Sequence, residues 1–124
     1  MSSDRFVISE DGLTVRDIGT GLVWQRKVPT KVFIWAAAKK YAAAFDLDGG
    51  GWRLPTVEEL SGLVNYDRRG PAIDGAAFPD TPSEWFWTDT PVAGVAGHAW
   101  NVNFHNGPVY FASTGVRSRV RCVR

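Results

Sequence analysis

Residues Gly49–Leu60 read GGGWRLPTVEEL. Trp52 and Leu54 point to one side of a short extended segment and Arg53 to the other. Pro55 keeps Leu54 extended. Thr56 and Glu59 then form a capping box, and Glu58 adds negative charge to the first turn. The spacing predicts a helix over 56–66, with Val57, Leu60, Leu63 and Val64 as its buried stripe. Arg53 is expected to be buried in the frame, tied to backbone carbonyls or to a carboxylate such as Asp17, Asp46 or Asp74.

Upstream, Val32 to Phe45 predicts another helix. Trp35, Ala38, Tyr41, Ala42 and Phe45 recur at spacings of three and four, alanine supplies propensity, and Thr30 is a candidate cap. Further back, 5–9, 14–17 and 22–26 read as short strands. The last two are joined through the turn cluster Asp17-Ile18-Gly19-Thr20-Gly21, where glycine admits positive φ. Downstream, 67–82 is a Pro/Gly-rich loop pinned by Ala76, Ala77 and Phe78. Strands are predicted over 84–90, 98–105 and 116–124. Asn106-Gly107 predicts a two-residue hairpin turn. That turn pairs Phe104 with Val109, Asn103 with Tyr110 and Val102 with Phe111, with Asn101, Asn103, His105 and Tyr110 on one face. Helices early and antiparallel strands late make one α+β domain over 1–124.

The 124 residues carry a net charge of +1, which excludes a strongly basic nucleic-acid footprint. No apolar run approaches the roughly 20 residues of a membrane span. The first residues lack the apolar core of a signal peptide, and Cys122 is the sole cysteine, so no internal disulfide forms. The expected location is cytoplasmic, with non-classical release as the other route.

Candidate chemistry is sparse. His98 and His105 are the only histidines, and neither sits in a nucleophile context. The triple glycine precedes a strand-like WRLP, not a helix, so it is no phosphate cradle. Asp46-Leu47-Asp48-Gly49 resembles the opening of a calcium loop, but its twelfth position is Val57. No enzymatic activity, metal or cofactor is expected.

Two groups point to binding instead. Arg117, Arg119 and Arg121 alternate, so a strand puts all three on one face, where guanidinium forks grip sulfate, phosphate or carboxylate. The polar hairpin face offers Asn101, Asn103, His105, Asn106 and Tyr110, residue types common in recognition surfaces. The expected ligand-binding set is these five with Arg117 and Arg119. Trp24, Trp52, Arg53, Trp87, Trp100 and Arg121 are assigned to the frame.

One larger pattern spans nearly the whole chain: Thr20-Gly21-Leu22-Val23-Trp24-Gln25-Arg26, Trp35-x-x-Ala38-x-x-Tyr41 and Trp52-Arg53-Leu54-Pro55-Thr56-x-x-Glu59-Leu60. It continues through Ala72-Ile73-Asp74, Trp87-Thr88-x-Thr90, Ala99-Trp100-x-Val102-x-Phe104-x-x-Gly107 and Val120-Arg121-Cys122-Val123-Arg124. This resembles the Lcl C-terminal domain family. The resemblance implies a C-type-lectin-like fold with two helices and looped antiparallel sheets, in extracellular or surface modules. The name-giving member is an adhesin domain that binds sulfated glycosaminoglycans, and some relatives are variable proteins of diversity-generating retroelements. Where the family often has a cysteine partner for that of the final segment, this chain has Ala42. Trp100-Asn101-Val102 lacks the acid of calcium-dependent lectins, and the formylglycine-generating relatives' chemistry has no counterpart. The expected function is a non-enzymatic recognition module for a protein or an anionic glycan. The alternatives are a retroelement variable protein and a self-assembling structural subunit.

Overall fold

The computed structural model describes residues 4–124. Its elements follow in order β1 (Phe6–Ile8), β2 (Thr14–Asp17), β3 (Val23–Gln25), α1 (Trp35–Ala44), α2 (Val57–Ser61), β4 (Trp85–Pro91), β5 (His98–Asn103) and β6 (Val109–Ser113), with a 3-10 turn at Leu47–Gly49. They make an α+β fold with two three-stranded antiparallel sheets, β1-β2-β3 and β4-β5-β6.

The capping box forms as the sequence predicts. Thr56 accepts from the Glu59 N–H at 3.1 Å, and the Glu59 carboxylate accepts from the Thr56 N–H at 2.8 Å. The helix behind it is shorter than expected and ends at Ser61. Gly62 follows, Leu63 and Val64 fold back in tight turns, and the Asn65 N–H donates to Ala72. Leu63 still reaches the core. Helix α1 begins at Trp35 rather than Val32, and its cap position is Ile34, not Thr30. Phe33 is drawn out of the helix because its N–H and C=O exchange hydrogen bonds with Ser118.

No strand forms over 116–124. The segment pairs one bridge at a time, with Phe33 at Ser118, β4 at Arg119, and both Trp24 and Arg53 at Val123. It therefore threads between the sheets. Val120 and Cys122 enter a core of Phe33, Ala38, Ala42, Trp52, Leu54, Trp87 and Ala99. Val123 enters the other, with Trp24, Leu60, Phe78, Phe86, Val102 and Phe104. The second sheet thus has packed cores on both faces near β4 and β5, while β6 overhangs as an edge.

Four tryptophans assigned to the frame differ in how they are held. Trp24 and Trp87 are fully buried, and the Trp87 indole donates to Phe33 at 2.7 Å. Trp52 donates to Leu47 at 2.8 Å, while Trp100 is half-buried edge-on to Phe111.

Arg53 is not buried as expected. Its side chain is 44% exposed and forms a bidentate pair with Glu59 at 2.8 and 2.9 Å. The partner is the capping-box carboxylate, none of the three aspartates expected. Through this pair Arg53 holds the carboxylate that caps α2. Of the loop anchors, Ala77 and Phe78 are buried and Ala76 is exposed.

Candidate functional site: a pocket under the strap that follows β6

The hairpin register is two residues from the expected one. Val102 faces Val109, Asn101 faces Tyr110 and Trp100 faces Phe111. Asn106-Gly107 does not close a two-residue turn. The Asn103 N–H donates to Pro108, and the Gly107 N–H to Asn103. Phe104 is wholly buried, and its backbone is taken by Glu84 and Ala72 while His105 serves Gly70. These long-range bonds outweigh the local turn signal. Gly107 is required where it stands: φ is +102°, and a Cβ would lie 2.6 Å from Val64 Cγ1.

A two-residue shift preserves which side chains share a face. Asn101 and Tyr110 are in register and Asn103 lies on the same face, as expected. The surroundings differ. Residues 114–118 cross this face as a strap, fastened by Thr114 N–H to Gly97, Trp35 N–H to Thr114, and the Phe33–Ser118 pair. Asn101 lies beneath it, 2% exposed, donating from Nδ2 to Ser118 Oγ at 3.1 Å. Between strap and sheet is a cavity of about 280 Å³ lined by Trp85, Asn101, Tyr110, Phe111, Arg117 and Ser118, among others.

One atom in this lining is unusual. Asn101 Oδ1 is buried and has no hydrogen-bond partner among the described residues. An unmet buried carbonyl costs about 1–3 kcal/mol. Turning the amide over does not help, because Ser118 then meets the oxygen and leaves the nitrogen unmet. Around it, Trp85 and Tyr110 meet edge-to-face at 6.3 Å, and Tyr110 stacks on Phe111 at 5.4 Å. Tyr110 is 60% exposed and Phe111 44%. The pocket combines aromatic walls, a polar floor and an exposed arginine, Arg117, in its lining.

The arginine row is dismantled because 116–124 is not a strand. Arg119 is bidentate to Glu84 at 3.1 and 3.3 Å and also donates to the Thr30 carbonyl. It braces the strap's exit and does not line the cavity. Arg121 is 1% exposed and donates to the carbonyls of Gln25 and Arg26 at 2.6 and 2.7 Å and to Thr81 Oγ1 at 2.9 Å. It lies 4.7 Å over the Phe78 ring, and burial pushes its pKa down to about 9. Arg117 is exposed, and no hydrogen bond or ion pair joins its guanidinium to another described residue.

Of the seven expected ligand-binding residues, three meet at the cavity: Asn101, Tyr110 and Arg117. Asn103 turns its Oδ1 to the His105 N–H at 2.9 Å, closing its own turn. His105 and Asn106 are exposed in that turn and do not line the pocket. Trp85, Phe111 and Ser118 were missed. Trp85 had a readable signal: it is two residues before Trp87 on one strand, hence on the Asn101 face.

The Lcl C-terminal domain profile matches residues 13–124. The chain belongs to the Lcl C-terminal domain family. Among curated proteins, none matches it. In this Lcl C-terminal domain no helix among the described residues is long and apolar enough to cross a membrane. Among the same residues, no group of three or more His, Cys, Asp or Glu is arranged to hold a metal ion.

Proposed function

We propose that this domain is a non-enzymatic recognition module whose ligand enters the pocket between β4–β6 and the strap. The ligand, carried by a protein or a glycan, presents an apolar or ring face to Trp85 and Tyr110. It supplies a hydroxyl or N–H to Asn101 and an anionic group to Arg117. The carrying observation is the unpartnered, buried Asn101 Oδ1. Folding tolerates such a group where a ligand completes it. The two helices, the looped antiparallel sheets and the threaded final segment support a C-type-lectin-like fold. The buried, unpaired Cys122 supports a reducing location, cytoplasmic or reached before non-classical release.

The test is binding to sulfated glycans and to displayed peptides at two ionic strengths. Arg117→Ala is expected to weaken binding and flatten its salt dependence, because exposed charge contacts are screened. Asn101→Leu is expected to abolish discrimination among ligands that differ by one hydroxyl. Unchanged binding in both folded variants overturns the pocket assignment. Loss of a parental oligomer in both makes the face an assembly surface.

A further inference from the structure

Strand β6 is an edge, and its backbone polarity can be read from two flanking bonds. The Asn103 N–H donates to Pro108, and the Thr114 N–H donates to Gly97. Antiparallel ladders alternate bonded and non-bonded pairs. The same register puts Tyr110 and Ala112 in bonded pairs with Asn101 and Ala99. The N–H and C=O of Val109 and Phe111, and the Ser113 N–H, therefore point away from β5. No segment outside the sheet bonds to Val109 or Phe111 among the described residues.

The usual protections of an exposed edge are missing. Asn106–Val116 contains no charged residue, and Val109, Tyr110 and Phe111 are each 39–60% exposed. Natural edges are normally blunted by lysine, proline, bulges or a covering loop. Here only Pro108 guards one end. The same strand forms the wall of the pocket through Tyr110 and Phe111.

We propose that the partner is an extended peptide segment that adds as a fourth strand to β6 and places one side chain in the pocket under the strap. This rests on the pocket reading above and names the ligand class. The outward groups of Val109 and Phe111 demand a partner with alternating backbone donors and acceptors, which is a strand. Added strands send alternate side chains to each face, so one in two lies on the Tyr110 side, beside the cavity. That side chain carries a hydroxyl or amide donor for Asn101. A carboxylate, on a neighbouring side chain or at the chain end, pairs with Arg117. A second copy of β6 does not satisfy these demands: Asn106–Val116 has no Asp or Glu to meet Arg117.

The experiment starts from random dodecapeptides displayed both internally and with free C-termini, and synthesises those selected. Hydrogen exchange by NMR is the direct readout. In the free protein the Val109, Phe111 and Ser113 N–H groups exchange fast while Tyr110 and Ala112 are protected. Bound peptide is expected to slow the first three. N-methylating alternate amides of the peptide in one register is expected to cost about tenfold or more in affinity, and in the other register little. Phe111→Pro removes an outward donor without touching the β5 ladder and is expected to bind at least about tenfold worse than Phe111→Ala. Protection of Tyr110 certifies its fold. The N-methyl series on the unaltered protein keeps the test decisive if that variant unfolds. Peptides that need Asn101 and Arg117 but leave the Val109 and Phe111 N–H groups unprotected overturn the added strand while the pocket reading survives. A library yielding no binder, with a sulfated glycan bound at Arg117, overturns it in favour of the glycan. A homodimer protecting these same N–H groups overturns it in favour of a second copy. Peptides indifferent to Asn101, Arg117 and β6 overturn both readings.

Discussion

Replacing Asn101 by leucine together with Ser118 by alanine separates a ligand site from a structural core. Both positions are buried, 2% and 4% exposed, and the one hydrogen bond between them is 3.1 Å long. Removing both partners forfeits that bond, worth about 1 kcal/mol net. It also removes an unmet carbonyl whose desolvation costs about 1–3 kcal/mol, and leucine, which branches as asparagine does but is larger, has the adjoining cavity beside Trp85, Phe111 and Ala112 to expand into. The sum runs from about 0 to 2 kcal/mol in favour of the variant. For a domain of this size that is a rise in Tm of zero to roughly 10 °C. The assay is thermal unfolding by circular dichroism beside binding of a selected peptide. The expected outcome is a protein at least as stable as the parent that no longer binds. A fall in Tm of about 5 °C or more means that Asn101 serves the fold. Retained affinity means that the ligand does not reach it.

Asp17 is 1% exposed and holds Arg5 at 2.7 Å and the Gly19 N–H at 3.0 Å. Burial pushes its pKa up, but Arg5, Gly19 and Thr20 together outweigh this and hold it below the usual carboxylate range. A lowered folded pKa means stability present above the unfolded value near 4 and lost as pH falls through the folded one. Stability curves from pH 5 to 2 are expected to fall, and more shallowly in Asp17→Asn; equal slopes refute this role. Burial pushes the Cys122 thiol up to about 12, so a disulfide reagent at pH 8 is expected to label it only after denaturation. Arg53→Ala is expected to cost under about 1 kcal/mol in chemical denaturation, because its ion pair is solvent-exposed. Glu59→Ala, which also uncaps α2, is expected to cost more. The reverse order contradicts the capping account.

Features set by neighbours in the chain were legible. Thr56 and Glu59 are three residues apart, and their capping box forms as written. Likewise the turn cluster after Asp17 joins β2 to β3 as an antiparallel pair. Features set by distant partners were not. Asn106-Gly107 is a strong turn signal, but Gly70, Ala72 and Glu84 claim the backbone of Phe104 and His105. Those contacts lie tens of residues away. The arginine alternation failed for the same reason: 118–124 is held by four different segments, so its side chains follow their separate partners instead of one pleat. Arg117 is exposed in the pocket's lining, Arg119 is clamped and Arg121 is buried. The alternation of Trp85 and Trp87 did carry the pocket's wall, but only the register of β4 against β5 connects it to Asn101.

The most direct test of the pocket is chemical-shift mapping of the Asn101 side-chain amide and the Trp85 indole N–H during titration with a selected peptide. Both are expected to move together, saturate at one affinity, and be joined by Arg117. Shifts confined to residues 67–82, with Asn101 and Trp85 unmoved at saturation, contradict it.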